Sequence, residues 1–188
     1  AIDLGKPGTK TIREDGTATF IGHDSLSVEI MTPYLDDLHL SGEEQSYLTL
    51  LVGQHLRPGF MDINASGLLR MLYRYFCETG AWGVDLAIIS IADRLAAQGP
   101  LCTADHNARH WAIVERICRA YFRETALVVR PPDLITGGDL LSELGLTPGP
   151  HIGLALKMVK EAQVEGRVGS RDEALAVARN FLAGQPPL

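Results

Sequence analysis

The chain has 188 residues, 46% of them hydrophobic and 21% charged, with a formal net charge of −6 and a pI near 5.5. That is enough apolar material for a core, and the acidic balance excludes a strongly basic nucleic-acid binder while leaving room for a local basic patch. With no apolar run of the ~18 residues a membrane span needs and no basic-then-apolar leader, a cytoplasmic protein with no membrane association is expected. The three unevenly spaced cysteines, Cys77, Cys102 and Cys118, read as reduced thiols.

Residues 9–20 carry the β signal. Thr9, Thr11 and Ile12, then Thr17, Thr19 and Phe20, flank Asp15-Gly16, which predicts a small hairpin with a type I′ turn whose two central residues need positive φ. The rest reads as helical. Asp24 is expected to cap a helix carrying Leu26, Ile30, Met31 and Leu35. Ser41-Gly42-Glu43-Glu44 is a capping box, followed by Tyr47, Leu48, Leu51, Val52 and His55 on one face, with Pro58-Gly59 as the stop. Further helices are predicted over 68–76, ending near Gly80, and over 82–97, an apolar segment stopped by Gln98-Gly99-Pro100. A long amphipathic stretch then runs from about 104 to about 127.

Arg130-Pro131-Pro132 cannot continue a helix. It predicts a boundary between a helical body, residues 1–130, and a small helical tail, residues 131–188. Within the tail, Gly137-Gly138-Asp139 opens a short helix, Thr147-Pro148-Gly149-Pro150 precedes one over 152–164, and Ser170-Arg171-Asp172-Glu173 is a second capping box. The fold class expected is therefore all-α, with a small N-terminal hairpin or loop.

Two groups of residues carry candidate chemistry. Asp3, His23, His55 and Asp93 lie at helix ends or on buried faces. Carboxylates and imidazoles drawn from separate segments can hold one or two divalent metals, which activate water and offset phosphate charge. Asp93 stands inside the most apolar helix, where a carboxylate is costly unless paired or liganded. The competing reading makes His55 a core or capping histidine and pairs Asp93 with Arg94 or Arg57. Lys6, after Gly5, is a candidate phosphate-facing cation.

The second group is in the tail. The helix after Pro150 begins beside Gly149 and Gly153, where backbone N–H groups can meet a phosphate. Lys157, Lys160 and Arg167 add charge there; the alternative is that the glycines serve tight packing. Arg109, Arg116, Arg119 and Arg123 share roughly one helix face, read as solvated or as an RNA-backbone stripe. His106 and His110 have one-turn spacing but no third ligand, and Trp82 and Trp111 read as packing residues.

Asp3-Leu4-Gly5-Lys6-Pro7, Gly22-His23, His55-Leu56-Arg57-Pro58 and Ala92-Asp93 resemble an HD-type phosphohydrolase site in which Ile2 stands where that motif has histidine. A second resemblance covers nearly the whole chain. Phe20-Ile21-Gly22-His23, Leu51-Val52-Gly53-Gln54-His55-Leu56-Arg57-Pro58 and Ile89-Ser90-Ile91-Ala92-Asp93 look like the HD-related region of bacterial tRNA nucleotidyltransferases, the CCA-adding and poly(A) polymerase family. Leu134-Ile135-Thr136-Gly137-Gly138-Asp139-Leu140 and Gly145-Leu146-Thr147-Pro148-Gly149-Pro150, with Ile152-Gly153, resemble that family's tail.

The resemblance implies an HD-like helical body plus tail that supports tRNA or other RNA. It also implies a longer parent, whose N-terminal head would use ATP or CTP and carry a Gly-Ser motif before an Asp-x-Asp metal pair. That arrangement is not found in these 188 residues. The expectation is a C-terminal piece with a degenerate HD site, silent in nucleotidyl transfer on its own, with Mg or Mn as its possible metal. The alternative is a metal-dependent HD-type phosphohydrolase acting on phosphoesters or nucleotides and completed by upstream residues. A third is an interaction module whose acidic surface binds protein.

Overall fold

The computed structural model describes residues 1–97 and 103–184; Gln98-Gly99-Pro100 and Cys102 lie outside them. The fold is all-α apart from one two-stranded antiparallel hairpin. The elements in chain order are α1 (Lys6–Thr9), β1 (Thr11–Ile12), β2 (Ala18–Thr19), α2 (His23–Asp37) and α3 (Gly42–Gln54). After a 3-10 turn (Arg57–Phe60) come α4 (Leu68–Thr79), α5 (Trp82–Ala96) and α6 (Ala104–Arg123). A π-type turn (Thr125–Val129) precedes α7 (Gly137–Leu144), α8 (Pro150–Val164) and α9 (Arg171–Leu182). No described helix is long and apolar enough to cross a membrane.

The chain forms two compact units. One comprises Ala1–Ile63 and Thr79–Cys118, the other Asn64–Glu78 and Arg119–Leu188. In the first, α1 packs on α2, α2 on α3 and α3 on α5. Met31, Leu35 and Val52 form a small core there, with Ile2, Val28, Leu40 and Leu48 packed against it. In the second, α7, α8 and α9 close around Ile135, Leu140, Ala155, Val159, Ala162, Val168, Ala174 and Leu175. Every member of that cluster lies between residues 134 and 182.

Local chemistry explains the helix starts. Ser41 accepts from the Glu44 N–H while the Glu44 carboxylate accepts from the Ser41 N–H, and Ser170 and Glu173 repeat the exchange. Each box satisfies two N–H groups that the first turn leaves without helical partners. A third box, Thr136 with Asp139, opens α7.

Two local expectations are corrected. The hairpin exists, pairing Thr11 with Thr19 and Ile12 with Ala18, but its turn is not type I′. Only Gly16 has positive φ, +80°, because the loop is longer: the Arg13 N–H reaches Thr17 O and the Gly16 N–H reaches Arg13 O. The Asp15 carboxylate accepts from the Thr17 N–H at 2.8 Å, fixing the turn by its side chain. Asp24 does not cap α2 either. The cap position is Gly22, with φ +80°, and Asp24 sits inside the first turn, where its charge meets the positive end of the helix.

Candidate functional site

The most organised polar cluster is built by the N-terminal segment on α2. Ser27 is fully buried. Its hydroxyl accepts from the Gly5 N–H at 2.8 Å and donates to Ile2 O at 2.9 Å. Gly5 lies so close to α2 that a Cβ there would stand 2.3 Å from His23 O, so only glycine permits the approach. Ile2 adds its side chain to the Met31–Leu35–Val52 core. The position before Asp3 is thus an apolar anchor, and Asp3 is delivered to the start of α2 by contacts on both sides of it.

Here Asp3 meets His23 and His55. His23 Nε2 is 3.2 Å from His55 Nε2 and 3.8 Å from Asp3 Oδ1. The two imidazoles are buried, their rings 62° apart. Each Nδ1 lies 2.7 Å from a backbone carbonyl, Phe20 O for His23 and Val52 O for His55. A carbonyl only accepts, so both Nδ1 atoms carry a hydrogen, and each Nε2 is the atom turned toward the other ring. At 3.2 Å the two Nε2 atoms are close enough to share a hydrogen bond or to meet at one cation. Metal-binding histidines are oriented in the same way, with the second nitrogen donating to a carbonyl or carboxylate.

The three ligand atoms lie within 4.8 Å of one another. Donors bound to one cation at about 2.1 Å are separated by roughly 3 to 3.5 Å, so small side-chain movements bring this set onto a metal. The residues therefore fit a divalent ion. Two imidazoles and a carboxylate suit Mn, Fe, Ni or Zn better than Mg, which prefers an all-oxygen shell.

Of the four residues proposed as ligands, three converge. Asp93 belongs to α5, and its charge acts on His110; the ligand group found among the described residues does not include it. His110 itself is 2.8 Å, by Nε2, from Ser90 Oγ. Burial first, and then the Arg94 charge, push its pKa down, with Asp93 opposing. Lys6 joins the cluster edge: its Nζ is 2.8 Å from Asp3 Oδ1 and 5.9 Å from the Phe20 ring centroid. Ser27 was not singled out in the sequence, although its i+4 spacing from His23 puts both on one face of α2.

The tail residues separate by role. Lys160 is occupied inside the fold. Its Nζ donates to Pro131 O and Pro132 O, both at 2.6 Å, and pairs with Asp133 at 2.9 Å. It ties the segment before α7 to α8 and is not presented to a ligand. Gly149 is the cap of α8, and a Cβ there would meet the His151 ring at 2.8 Å, so its smallness serves local packing. Gly153 and Lys157 are exposed on α8, and a Cβ on Gly153 would meet open space. Trp82 packs edge-on against Tyr47, whereas Trp111, expected to be packed, is largely exposed.

Comparison with known proteins bears on these segments. A family model described as tRNA nucleotidyltransferase domain 2, putative, matches residues 112–178. An A-adding tRNA nucleotidyltransferase of Deinococcus radiodurans is 31% identical over 98% of this chain and 41% of its own length. A CC-adding tRNA nucleotidyltransferase of Thermus thermophilus is 34% identical over 97% of this chain and 39% of its own length. The chain belongs to the tRNA nucleotidyltransferase family. It spans about two fifths of the length of these relatives, in their C-terminal part. A CC-adding enzyme of Synechocystis is 27% identical over 66% of the chain. No solved structure matches. The family match crosses Pro131-Pro132, joining the last part of α6 to α7, α8 and the start of α9.

Proposed function

We propose that this chain is the tRNA-supporting part of a tRNA nucleotidyltransferase of the CCA-adding type, and that it holds the RNA while nucleotidyl transfer from ATP or CTP takes place on a head domain of the parent enzyme. The observation that carries this reading is the run of similarity to A-adding and CC-adding enzymes through nearly the whole chain. We read residues 1–130 as an HD-derived body and 131–188 as the tail. The separate apolar core between residues 134 and 182 supports the tail as a rigid support. The cytoplasm is the compartment such a role requires. Footprinting of a tRNA lacking its 3′ CCA tests the reading. Added chain should protect the acceptor-arm backbone from cleavage, and an unprotected acceptor arm would refute it.

A second reading is favoured by one specific feature, the facing Nε2 atoms of His23 and His55. In this reading Asp3, His23 and His55 hold a divalent cation, and the site descends from, or still serves as, a metal-dependent phosphohydrolase. A cation held there supplies Lewis acidity toward a phosphoryl oxygen. The chain's own residues do the rest: Phe20 O and Val52 O orient the imidazoles, Ser27 holds the segment that carries Asp3, and Lys6 adds positive charge at the rim. Equilibrium dialysis against Mn²⁺, Ni²⁺ and Zn²⁺ tests this. About one ion per chain is expected, and none would refute it.

A further inference from the structure

The C-terminal end of α6, in the second compact unit, carries an exposed aromatic ring beside two arginines. Phe122 is 66% exposed. Arg119 stands one helical turn from both Phe122 and Arg123. The three side chains therefore leave the helix within an arc of about 100°.

Single exposed hydrophobics are ordinary, but this ring is the outer end of a row. Tyr75 is fully buried and Phe76 nearly so. Tyr75 meets Phe76 edge-on at 5.2 Å, and Phe76 meets Tyr121 at 5.7 Å. Tyr121 meets Phe122 at 5.1 Å with the ring planes 87° apart. Four rings thus run from the core of this unit to its surface, in the edge-to-face contacts that aromatic pairs prefer. Phe122 is braced on one side by Tyr121 and open on the rest. The backbone beneath it is tied down as well: Thr125 Oγ1 donates to Tyr121 O, and the turn that follows buries Val128 and Val129.

The arginines differ in how they are held. Arg119 Nε is 3.2 Å from Glu124 Oε1, but the arginine is mostly exposed, so the pair is water-screened and exchangeable. Arg123 is exposed and has no ion-pair partner among the described residues. The acids on this side of the helix are Glu124 and, one turn before Arg119, Glu115. In a chain of net charge −6, an unpaired arginine next to a braced, open ring offers what one nucleotide needs. The guanidinium meets the phosphate and the π-face meets the base.

We propose that Phe122 is a stacking platform for an unpaired base of bound RNA, with Arg123 on the adjoining phosphate and Arg119 leaving Glu124 for the next. A purely apolar partner would leave these guanidiniums unused, which favours RNA as the occupant. The inference rests on the tRNA-supporting reading and gives it a contact point on the arginine face of α6.

The test is fluorescence anisotropy of a labelled tRNA lacking its 3′ CCA, titrated with the 188-residue chain across a range of KCl. Phe122→Ala should weaken binding about 10-fold and leave the log–log salt slope unchanged. Phe122→Trp should bind at least as well as the wild type, and Phe122→Leu should be nearly as weak as Phe122→Ala, because it keeps apolar bulk without a π-face. Arg123→Met should weaken binding several-fold and flatten the slope by just under one unit, the loss of one phosphate contact; Arg123→Lys should keep the slope. All these side chains are exposed, so melting temperatures should stay put. Wild-type affinity in folded Phe122→Ala or Phe122→Leu would overturn the proposal. So would self-association of the chain that Phe122→Ala abolishes while RNA affinity holds, which would make the ring a protein contact. If the wild-type chain binds no tRNA, the tRNA reading itself falls. The platform is then judged by the Phe122 ring-proton resonances on adding a short oligoadenylate: ring-current shifts would sustain it, and unmoved resonances overturn it.

Discussion

His23 and His55 turn their Nε2 atoms toward each other at 3.2 Å while their Nδ1 atoms donate to Phe20 O and Val52 O. We propose that this relationship lets the pair receive a cation. Adding Ni²⁺ or Zn²⁺ to the apo chain should raise its melting temperature by several degrees, as expected for a ligand that binds only the folded state. The substitutions His23→Ala and His55→Ala should abolish that rise. Differential scanning fluorimetry reads both effects, and a metal-induced rise that survives both substitutions would place the metal elsewhere.

Ser27 sets the position of Asp3 without being a ligand. Ser27→Ala removes one donor and one acceptor from a buried site, leaving the Gly5 N–H and Ile2 O without that partner. The expected cost is about 2 kcal/mol, or a fall of roughly 4–8 °C in melting temperature for a chain of this size. Metal affinity should fall with it, because Asp3 is released from α2. Gly5→Ala should do at least as much, since its Cβ would collide with backbone. Normal metal affinity in a stably folded Ser27→Ala variant would show that Asp3 needs no such anchor.

Glu161 is 1% exposed and relies on Arg74. Arg74→Met should cost about 2–3 kcal/mol, because a buried carboxylate loses its charge partner. The double variant Arg74→Met, Glu161→Met should regain most of that loss, since two apolar groups replace the pair. Urea unfolding of the three variants measures it. A double variant no more stable than Arg74→Met would mean that the pair does more than neutralise itself.

Asp139 gives the chain an acid-sensitive point. Hydrogen bonds from Thr136, and then from Arg171, hold its carboxyl down to about 2, against an ordinary value of 3.8. A pKa lowered on folding adds stability above the unfolded value, and that stability is lost as pH falls through the folded value. The contribution should therefore be complete above about pH 4 and fade between pH 4 and 2. Melting curves at pH 5 and pH 3 should differ less for Asp139→Asn than for the wild type. An equal difference would assign the acid sensitivity to other carboxylates, such as Glu44 and Glu173, which also sit low because Ser41 bonds the former and the Gly169 and Ser170 amides the latter.

Much of this was legible in the sequence, where physics acts over a few residues. The boxes at Ser41 and Ser170 declare themselves by spacing, as do the apolar faces of α3 and α5. Asp3, His23 and His55 were readable as metal-ligand types, though their convergence depends on contacts 22 and 32 residues apart. The role of Ser27 was hidden because a serine on a helix face names no partner. Lys160 looked like a free cation, since carbonyls offered by a proline pair 28 and 29 residues away leave no local pattern. Pro131-Pro132 marks where a helix must stop, while the compact units follow packing that brings Arg74 to Glu161 across 87 residues.

The measurement that tests the central claim most directly is the affinity of the 188-residue chain for tRNA against a single-stranded RNA of equal length at physiological salt. The account predicts saturable binding to tRNA at least about tenfold tighter than to the single strand, weakening steeply with salt as phosphate contacts require. Equal affinity for the two RNAs, or no binding to either, would contradict it.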